Sequence, residues 1–360
     1  MKSITGGAIL CGDKAIEESG LIRMKDYKIS DIAKMANVSV ATVSRVLNNS
    51  ASVTEKTRRK VLEAIEKANY TPNAVAKNLR SKKTMALAVQ VPDIGVSYFA
   101  DIVKGIENMA SSLNYKIFIC DLQNQKEKAY EYMSLLLNRT VDGMILVTPD
   151  LTDEEIVSYV DQGYKIGVIG RHIDHREIPC VYTDNVKMGK EVVSHLVSQG
   201  HERIAFLSGF AHAIDSYTRL EGYMKGLRDA GYPFLPELIE NGDFNEDKGY
   251  EAFKRLIAKN VHFTAVFAAN DEMALGVYKA CNELKIKIPE EMAVVGVDNT
   301  RITNYIAPKM STVDQPKYTM GALIAEKLID QINDNIYHDQ RVFKVDSTLI
   351  IRESSNYRRK

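Results

Sequence analysis

The sequence predicts a small all-α head joined to a larger α/β body of two doubly wound, parallel-sheet subdomains. Three observations carry this. Apolar residues recur at helical spacing through residues 29–68, whereas from Met85 onward short apolar runs alternate with helical stretches. The chain has 360 residues, more than one compact domain usually takes. Its net charge of zero hides an imbalance: residues 24–83 hold 13 Lys and Arg against 5 Asp and Glu, residues 1–23 hold 3 of each, and residues 84–360 hold 31 against 39. A basic module therefore precedes an acidic body, and any attraction to phosphates belongs to the smaller part.

The head is read from ISDIAKMANVSVATVSRVLNN, residues 29–49. Ser30 is expected to cap a two-turn helix with the apolar stripe Ile29, Ile32, Ala33 and Ala36. Asn37 suits a left-handed turn, and Ser39 caps a second helix that buries Val43, Val46 and Leu47. A third stripe follows at Val61, Leu62, Ile65 and Ala68. Three short helices with a tight turn between the first two make a helix-turn-helix unit. In that geometry the start of the second helix enters the major groove. Val40, Ala41 and Arg45 then meet base edges, with Thr42 and Ser44 near phosphates. Arg takes guanine bidentately, and the Val and Ala side chains pack on thymine methyls.

The stretch YTPNAVAKNLRSKKT, residues 70–84, has Pro72 and Asn73 at the start of a short helix, with Ala76 and Leu79 on one side. About eight helical residues are marginal alone in water. An exposed Leu at the end of such a helix can wedge between base steps in the minor groove.

The body reads as two βα series. Strand-like runs are MALAVQV, YKIFICD, VDGMILV, KIGVIG and CVYTD, then RIAFLSG, LIENGDF, TAVFAAND and MAVVGVDN. Helices such as 99–113, 126–138, 186–199, 217–231, 247–259 and 271–284 lie between them. A helix at 317–333 and a closing strand STLIIRES return to the two sheets. Open α/β sheets bind ligands beyond the carboxyl ends of their strands, so two facing sheets make a cleft. The residues at those ends are Tyr98, Phe99, Asp215, Arg219, Phe244, Asn270 and Asp298. Carboxylates, an amide, one Arg and aromatic faces suit a polyhydroxy ring. Asp271, at the start of a helix, is expected to be its N-cap.

At these residues a resemblance is plain. ISDIAKMANVSVATVSRVLNN followed by YTPNAVAKNLRSKKT resembles the head and hinge of the LacI/GalR family of bacterial transcriptional regulators, and Val40-Ala41 with Arg45 resembles its galactose-repressor subtype. The likeness spans residues 27–355. It implies a helix-turn-helix domain at 24–70, a hinge helix and linker at 71–84, and a periplasmic-binding-protein-like core at 85–360. The first subdomain would be about 85–184 plus 314–341 and the second about 185–313 plus 342–360, with crossings near Asp184, Val313 and Arg341. Residues 1–23 match nothing in the family, and Met24 looks like its usual start; this tail is expected to be disordered or untranslated. The resemblance implies that the hinge folds on operator DNA in a dimer, with Asn73, Ala76 and Lys77 among its DNA-binding residues, Lys77 at a phosphate, and Leu79 intercalating at a central CpG step. Lys77 departs from the commoner Arg and keeps a point charge without a fork. The Arg of RLEG (Arg219) and the Asp of GVDN (Asp298) match positions that hold effector; Asn270, Phe244, Tyr98 and Phe99 match less strictly.

The expectation is a repressor of carbohydrate or nucleoside utilisation genes, a homodimer on double-stranded palindromic operator, released by a neutral sugar or nucleoside in the cleft. A purine is disfavoured by Ala213, where the purine-responsive branch carries Arg. No leucine heptads follow STLIIRESSNYRRK, so no tetramerisation helix is expected. A rival reading is a catabolite-control regulator whose corepressor is a phosphorylated phosphocarrier protein. Tyr318-Thr319 and Glu326 depart from that branch, losing an acid and reversing a cation.

Other classes find little support. No run of about 18 apolar residues or secretory signal occurs, so no membrane span or export is expected. Four scattered cysteines without a CxxC pair read as free thiols in the cytoplasm, with no metal site. IGVIGRH falls short of a dinucleotide fingerprint, no Walker loop is present, and no cofactor is expected. His172 and His175 read as solvated. No nucleophile, base and acid fall in a strand-turn-helix context, so no enzyme is expected.

Overall fold

The computed structural model describes residues 27–47, 52–70, 83–335 and 341–357. The chain divides into two compact units, residues 1–82 and 83–360. In the first, α1 (Ile29–Ala36), α2 (Val40–Leu47) and α3 (Glu55–Ala68) enclose Ile32, Ala33, Ala36, Val43, Val46, Val61, Ala64 and Ala68. Asn37 closes α1 in the left-handed conformation, at φ 50°. Two expectations need correction. Ser30 lies inside α1; the helix begins after Lys28, whose amide donates to the Asp31 carboxylate at 2.9 Å. Leu62 is 51% exposed, and Ala64, one turn before Ala68, takes its place in the core.

The second unit begins with β1 (Ala86–Val91), α4 (Ser97–Ser112), β2 (Lys116–Asp121), α5 (Lys126–Leu137), β3 (Gly143–Val147), α6 (Asp153–Asp161), β4 (Ile166–Ile169) and β5 (Cys180–Thr183). It continues with α7 (Asn185–Ser198), β6 (Ile204–Ser208), α8 (Ile214–Asp229), β7 (Ile239–Asn241), α9 (Glu246–Ala258), β8 (Ala265–Ala268), α10 (Asp271–Leu284), β9 (Ala293–Val297) and β10 (Ser311–Asp314). It ends with α11 (Lys317–Ile332), β11 (Val342–Val345) and β12 (Thr348–Ile350). One sheet runs β11-β5-β4-β3-β1-β2 and is parallel throughout. The other runs β12-β10-β9-β8-β6-β7, antiparallel only where β12 meets β10. Central strands β1, β3, β8 and β9 are buried along their length. A parallel sheet covered by helices on both faces requires that, and it is why these strands read as unbroken apolar runs.

The chain passes between the sheets three times: at Asp184, between Asp314 and Lys317, and between Val345 and Thr348. The sequence places the last near Arg341. Val342–Val345 instead pair with Cys180–Thr183 and belong to the first sheet, so the boundary shifts past them. α6 was not among the expected helices. Its signal was present in Thr152, which accepts from the Glu155 amide at 3.2 Å while the Glu155 carboxylate accepts from the Thr152 amide at 2.7 Å.

Helices α4 and α11 touch backbone to backbone. A Cβ on Gly105 would lie 2.1 Å from the Tyr318 carbonyl oxygen, and one on Gly321 would lie 2.1 Å from that of Ile102. Gly321→Ala gains about 1 kcal/mol of helix propensity. The contact cannot be relieved by a rotamer change, however, so the helices must separate. The expected outcome is a net loss of about 1–3 kcal/mol, read by urea unfolding followed by circular dichroism.

Candidate functional site

In the head, the exposed side of α2 presents Val40, Ala41 and Arg45, with Thr42 and Ser44 half-buried beside them. Ser39 caps this helix: its Oγ accepts from the Thr42 amide at 3.1 Å and hydrogen-bonds the Thr42 hydroxyl at 2.9 Å. Burial of Val43 and Val46 fixes which side faces out. The expected hinge residues Asn73, Ala76, Lys77 and Leu79 lie outside the described residues.

The core gathers the other predicted residues at the strand ends. Arg219, in the second turn of α8, is only 4% exposed. Its Nε donates to Asn185 Oδ1 at 3.0 Å and its Nη1 to the Ala269 carbonyl at 2.5 Å. The Asn185 Nδ2 donates to Asp215 Oδ1 at 2.7 Å. One amide thus stands between acid and guanidinium and holds both. The Phe244 ring lies 5.9 Å from the Arg219 guanidinium carbon. It fits because residue 209 is glycine; a Cβ there would fall 2.0 Å from Phe244 Cζ.

Asp298 follows β9 with φ 111°, and Asn299 follows with φ 47°. Two successive non-glycine residues with positive φ persist only where their surroundings over-determine them. Here the Asn299 amide donates to Thr312 Oγ1 at 3.1 Å, its Nδ2 donates to Asp314 at 3.0 Å, and its Oδ1 accepts from Arg352 at 2.8 Å. Asp298 Oδ1 accepts from Gln315 Nε2 at 2.9 Å, and the Lys317 ammonium donates to the Asp298 carbonyl. Asp298 is 6% exposed. Burial raises its pKa, Arg219, Lys317 and the Gln315 bond oppose that, and Asp215 adds to it.

Tyr98 and Phe99 come from the first subdomain, at the start of α4, with their rings edge to face at 5.2 Å. Tyr98 is 8% exposed. Burial pushes its phenol pKa up, Asp298 and Asp215 push it further, and Arg219 opposes them. At another point His212 Nε2 of the second subdomain approaches Asp150 Oδ1 of the first to 4.0 Å. His212 stacks on Phe210 at 5.3 Å, and Phe210 meets Phe244 at 5.9 Å.

Asp271 does not cap α10. Asn270 does, accepting from the Met273 amide at 3.0 Å while its Nδ2 donates to the Phe244 carbonyl at 3.0 Å. Both ends of Asn270 thus serve the fold. Asp271 is fully buried; Oδ2 accepts from the Thr300 amide and hydroxyl at 2.7 and 3.0 Å, and Oδ1 from Thr312 Oγ1 at 2.6 Å. Asn185, Gln315 and Lys317 are site residues absent from the sequence expectation. Their only signal was position, at the start of α7 and at the second crossing.

Among the described residues, no group of three or more metal-ligating side chains occurs, and no helix is long and apolar enough to cross a membrane.

The model for bacterial regulatory proteins of the lacI family matches residues 28–73, and that for a periplasmic binding protein-like domain matches residues 193–355. Catabolite control protein A of Priestia megaterium is 33% identical over 328 residues, covering 91% of this chain and 98% of that protein. Among solved structures, the lac repressor dimer bound to operator and the anti-inducer ONPF superposes with a TM-score of 0.83 at 25% identity, covering 92% of this chain and 99% of that one. A complex of the regulator CelR with cellobiose gives 0.69 at 28% identity, covering 91% and 99%.

The buried acids set a dependence on pH. Burial, and then the charge of Asp298, raise the Asp271 pKa above its unfolded value. A carboxylate raised on folding contributes stability that is fully present below its unfolded pKa and is lost as pH rises through the folded one. Asp271→Asn cannot ionise and keeps an acceptor for the Thr300 amide. Its stability relative to the unaltered protein is therefore expected to rise between about pH 5 and about pH 8, measured by urea unfolding at each pH. A flat difference would place the raised pKa elsewhere.

Proposed function

The chain belongs to the lacI family of bacterial regulatory proteins, and on that premise we propose that it is a cytoplasmic repressor of carbohydrate or nucleoside utilisation genes. It binds a palindromic operator as a homodimer and lets go when a small polyhydroxy effector fills its cleft. The observation that carries the effector half of this reading is the meeting of the two subdomains at Asp298: its carbonyl accepts from the Lys317 ammonium of α11 and its carboxylate from Gln315 at the second crossing, in the subdomain where Asn185 joins Asp215 to Arg219. A ligand bonded to both sides stabilises the closed cleft by its differential affinity for that state. Closure shifts the first subdomains of the dimer relative to each other and separates the paired hinges, with Asn73, Ala76, Lys77 and Leu79 leaving the minor groove. The cellobiose complex and the operator-bound repressor among the relatives support both halves.

On the DNA side, the exposed face of α2 supplies Val40, Ala41 and Arg45 for base edges, with Ser39, Thr42 and Ser44 beside phosphates. One eight-residue helix reads too few bases for a specific site, and two-fold symmetry doubles the contact.

Identity to catabolite control protein A favours a second reading, control by a phosphorylated phosphocarrier protein. Against it, the Tyr318 hydroxyl on α11 accepts from Asn108 at 3.0 Å, and Glu326, where that branch carries a cation, pairs with Lys327 at 2.9 Å.

Two outcomes are expected. Arg45→Ala costs about 1–3 kcal/mol of operator affinity and relaxes preference at one base pair, measured by binding to a set of singly altered operators at fixed salt. Intact preference would reverse the orientation given to α2. Asp298→Ala binds operator and no longer releases it with sugars or nucleosides that release the unaltered protein, because the ligand's hydroxyls lose their buried partner. Tighter operator binding with the phosphorylated carrier, and no response to any small molecule, would favour the second reading.

A further inference from the structure

The chain enters the core through Lys83, Thr84 and Met85, and that entry is strained. Met85 stands at φ 56°, the left-handed region that a residue with a side chain keeps only where its surroundings over-determine it. One residue supplies most of that determination. Asp142, immediately before β3, accepts on Oδ1 from the Thr84 amide at 2.7 Å and the Thr84 hydroxyl at 3.0 Å, and on Oδ2 from the Met85 amide at 2.8 Å. Both carboxylate oxygens are thereby used. The Asp142 amide donates to the Ala86 carbonyl at 2.8 Å, so its side chain and backbone together fix three consecutive residues.

Two further contacts hold the same segment to the first subdomain. The Met85 carbonyl accepts from the Lys116 amide, at the start of β2, at 2.9 Å. The Lys83 ammonium donates to Asn333 Oδ1 at 2.6 Å, and Asn333 closes the C-terminal end of α11. The entry is therefore fastened to β2, β3 and α11 at once, at the amino ends of the strands. Bonds from backbone amides to a carboxylate are the stronger kind. Without them Met85 is free to return to negative φ, and a turn about that one bond re-aims every residue before it.

We propose that Asp142 is a positioning residue for operator binding: it fixes the direction in which the chain leaves the core toward the head, so that two copies present their heads at one separation. This rests on the reading of a dimer on a palindrome. Once one head is bound, the other meets its half-site at an effective concentration set by how narrowly its attachment is held. A held junction concentrates it at one half-site separation, and a loose one spreads it over several. Asp142 touches neither the DNA-reading face of α2 nor the cleft. The effector residues stand at the carboxyl ends of the strands and Asp142 at the amino end of β3, so its loss leaves the cleft as it is.

The test is Asp142→Asn in the full-length protein, which puts an N–H donor where Thr84 or Met85 needs an acceptor. Binding is measured by fluorescence anisotropy at fixed salt to two duplexes: a palindrome selected with the unaltered protein from random-sequence DNA, and the same palindrome with one base pair inserted at its centre. The unaltered protein is expected to prefer the first by a hundredfold or more. Asp142→Asn is expected to bind the first at least tenfold more weakly and the second within threefold of the unaltered protein, so that the preference for one separation shrinks. An equal loss on both duplexes, as general destabilisation would give, overturns the proposal, and so does an unchanged preference. Should Asp142→Asn not fold, Thr84→Val decides, because it keeps both amide bonds and removes only the hydroxyl's. It is expected to lose threefold or more on the first duplex and less on the second; a preference equal to that of the unaltered protein overturns the proposal. Unaltered protein that binds both duplexes alike overturns the palindromic reading beneath it, and the proposal with it.

Discussion

Everything in the cleft depends on how closely the helices of the core can approach one another. A Cβ on Gly189 in α7 would lie 2.7 Å from the Arg219 carbonyl oxygen in α8, and one on Gly222 would lie 2.4 Å from that of Val186. The two helices therefore run in backbone contact close to their starts. That contact sets Asn185 at the distance where one amide bonds both Asp215 and Arg219. The pair α9 and α10 repeats the arrangement through Gly276 and the Glu246 carbonyl, at 2.2 Å. It holds Asn270 against the loop that carries Phe244. A packed interior does not deform continuously, so such contacts fix side-chain positions to within the tolerance of a hydrogen bond.

That dependence explains what the sequence could and could not reveal. The two sheets were legible because parallel strands covered on both faces must be apolar throughout, and β1, β3, β8 and β9 are. Arg219 and Asp298 were legible through the short strings RLEG and GVDN. Asn185, Gln315 and Lys317 were not, because a polar residue at a helix start has an ordinary explanation as a cap or a solvated end. Asp271 and Asn270 were exchanged for a related reason. Asn and Asp cap helices about equally well, and nothing local distinguishes them. The distinction is made by Thr300 and Thr312, which present donors to residue 271 and lie 29 and 41 positions away along the chain. The strand Val342–Val345 was missed because it is half exposed at a sheet edge and shows neither an apolar run nor clean alternation.

The three crossings between subdomains are tied to the cleft by side chains rather than by the sheets. Thr183, at the first crossing, donates to Gln315 Oε1 at 2.9 Å, and Gln315 donates from Nε2 to Asp298. Asp184 pairs with Lys344 at 2.5 Å and Lys187 with Asp346 at 3.5 Å, joining the first crossing to the third. Asp298 is thus one hydrogen-bonded residue, Gln315, away from the first crossing and sits beside the second. On the proposed reading, a change in what Asp298 bonds reaches the crossings through Gln315 alone.

One contact between the two subdomains lies at the surface. The approach of His212 to Asp150, at 4.0 Å, joins side chains that are 62% and 39% exposed, and such pairs contribute about 0–1 kcal/mol. The larger quantities are the buried ones. Arg219 and Asp298 are almost without access to water, yet each has an atom with no partner among the described residues. Completing a hydrogen bond to a charged group contributes about 1.5–3 kcal/mol, several times the pair at the mouth. On the proposed reading, a ligand that satisfies two or three of these atoms on one side and Tyr98 on the other gains more than the His212–Asp150 pair contributes. On that reading, the polar atoms gathered at the strand ends decide which molecule binds.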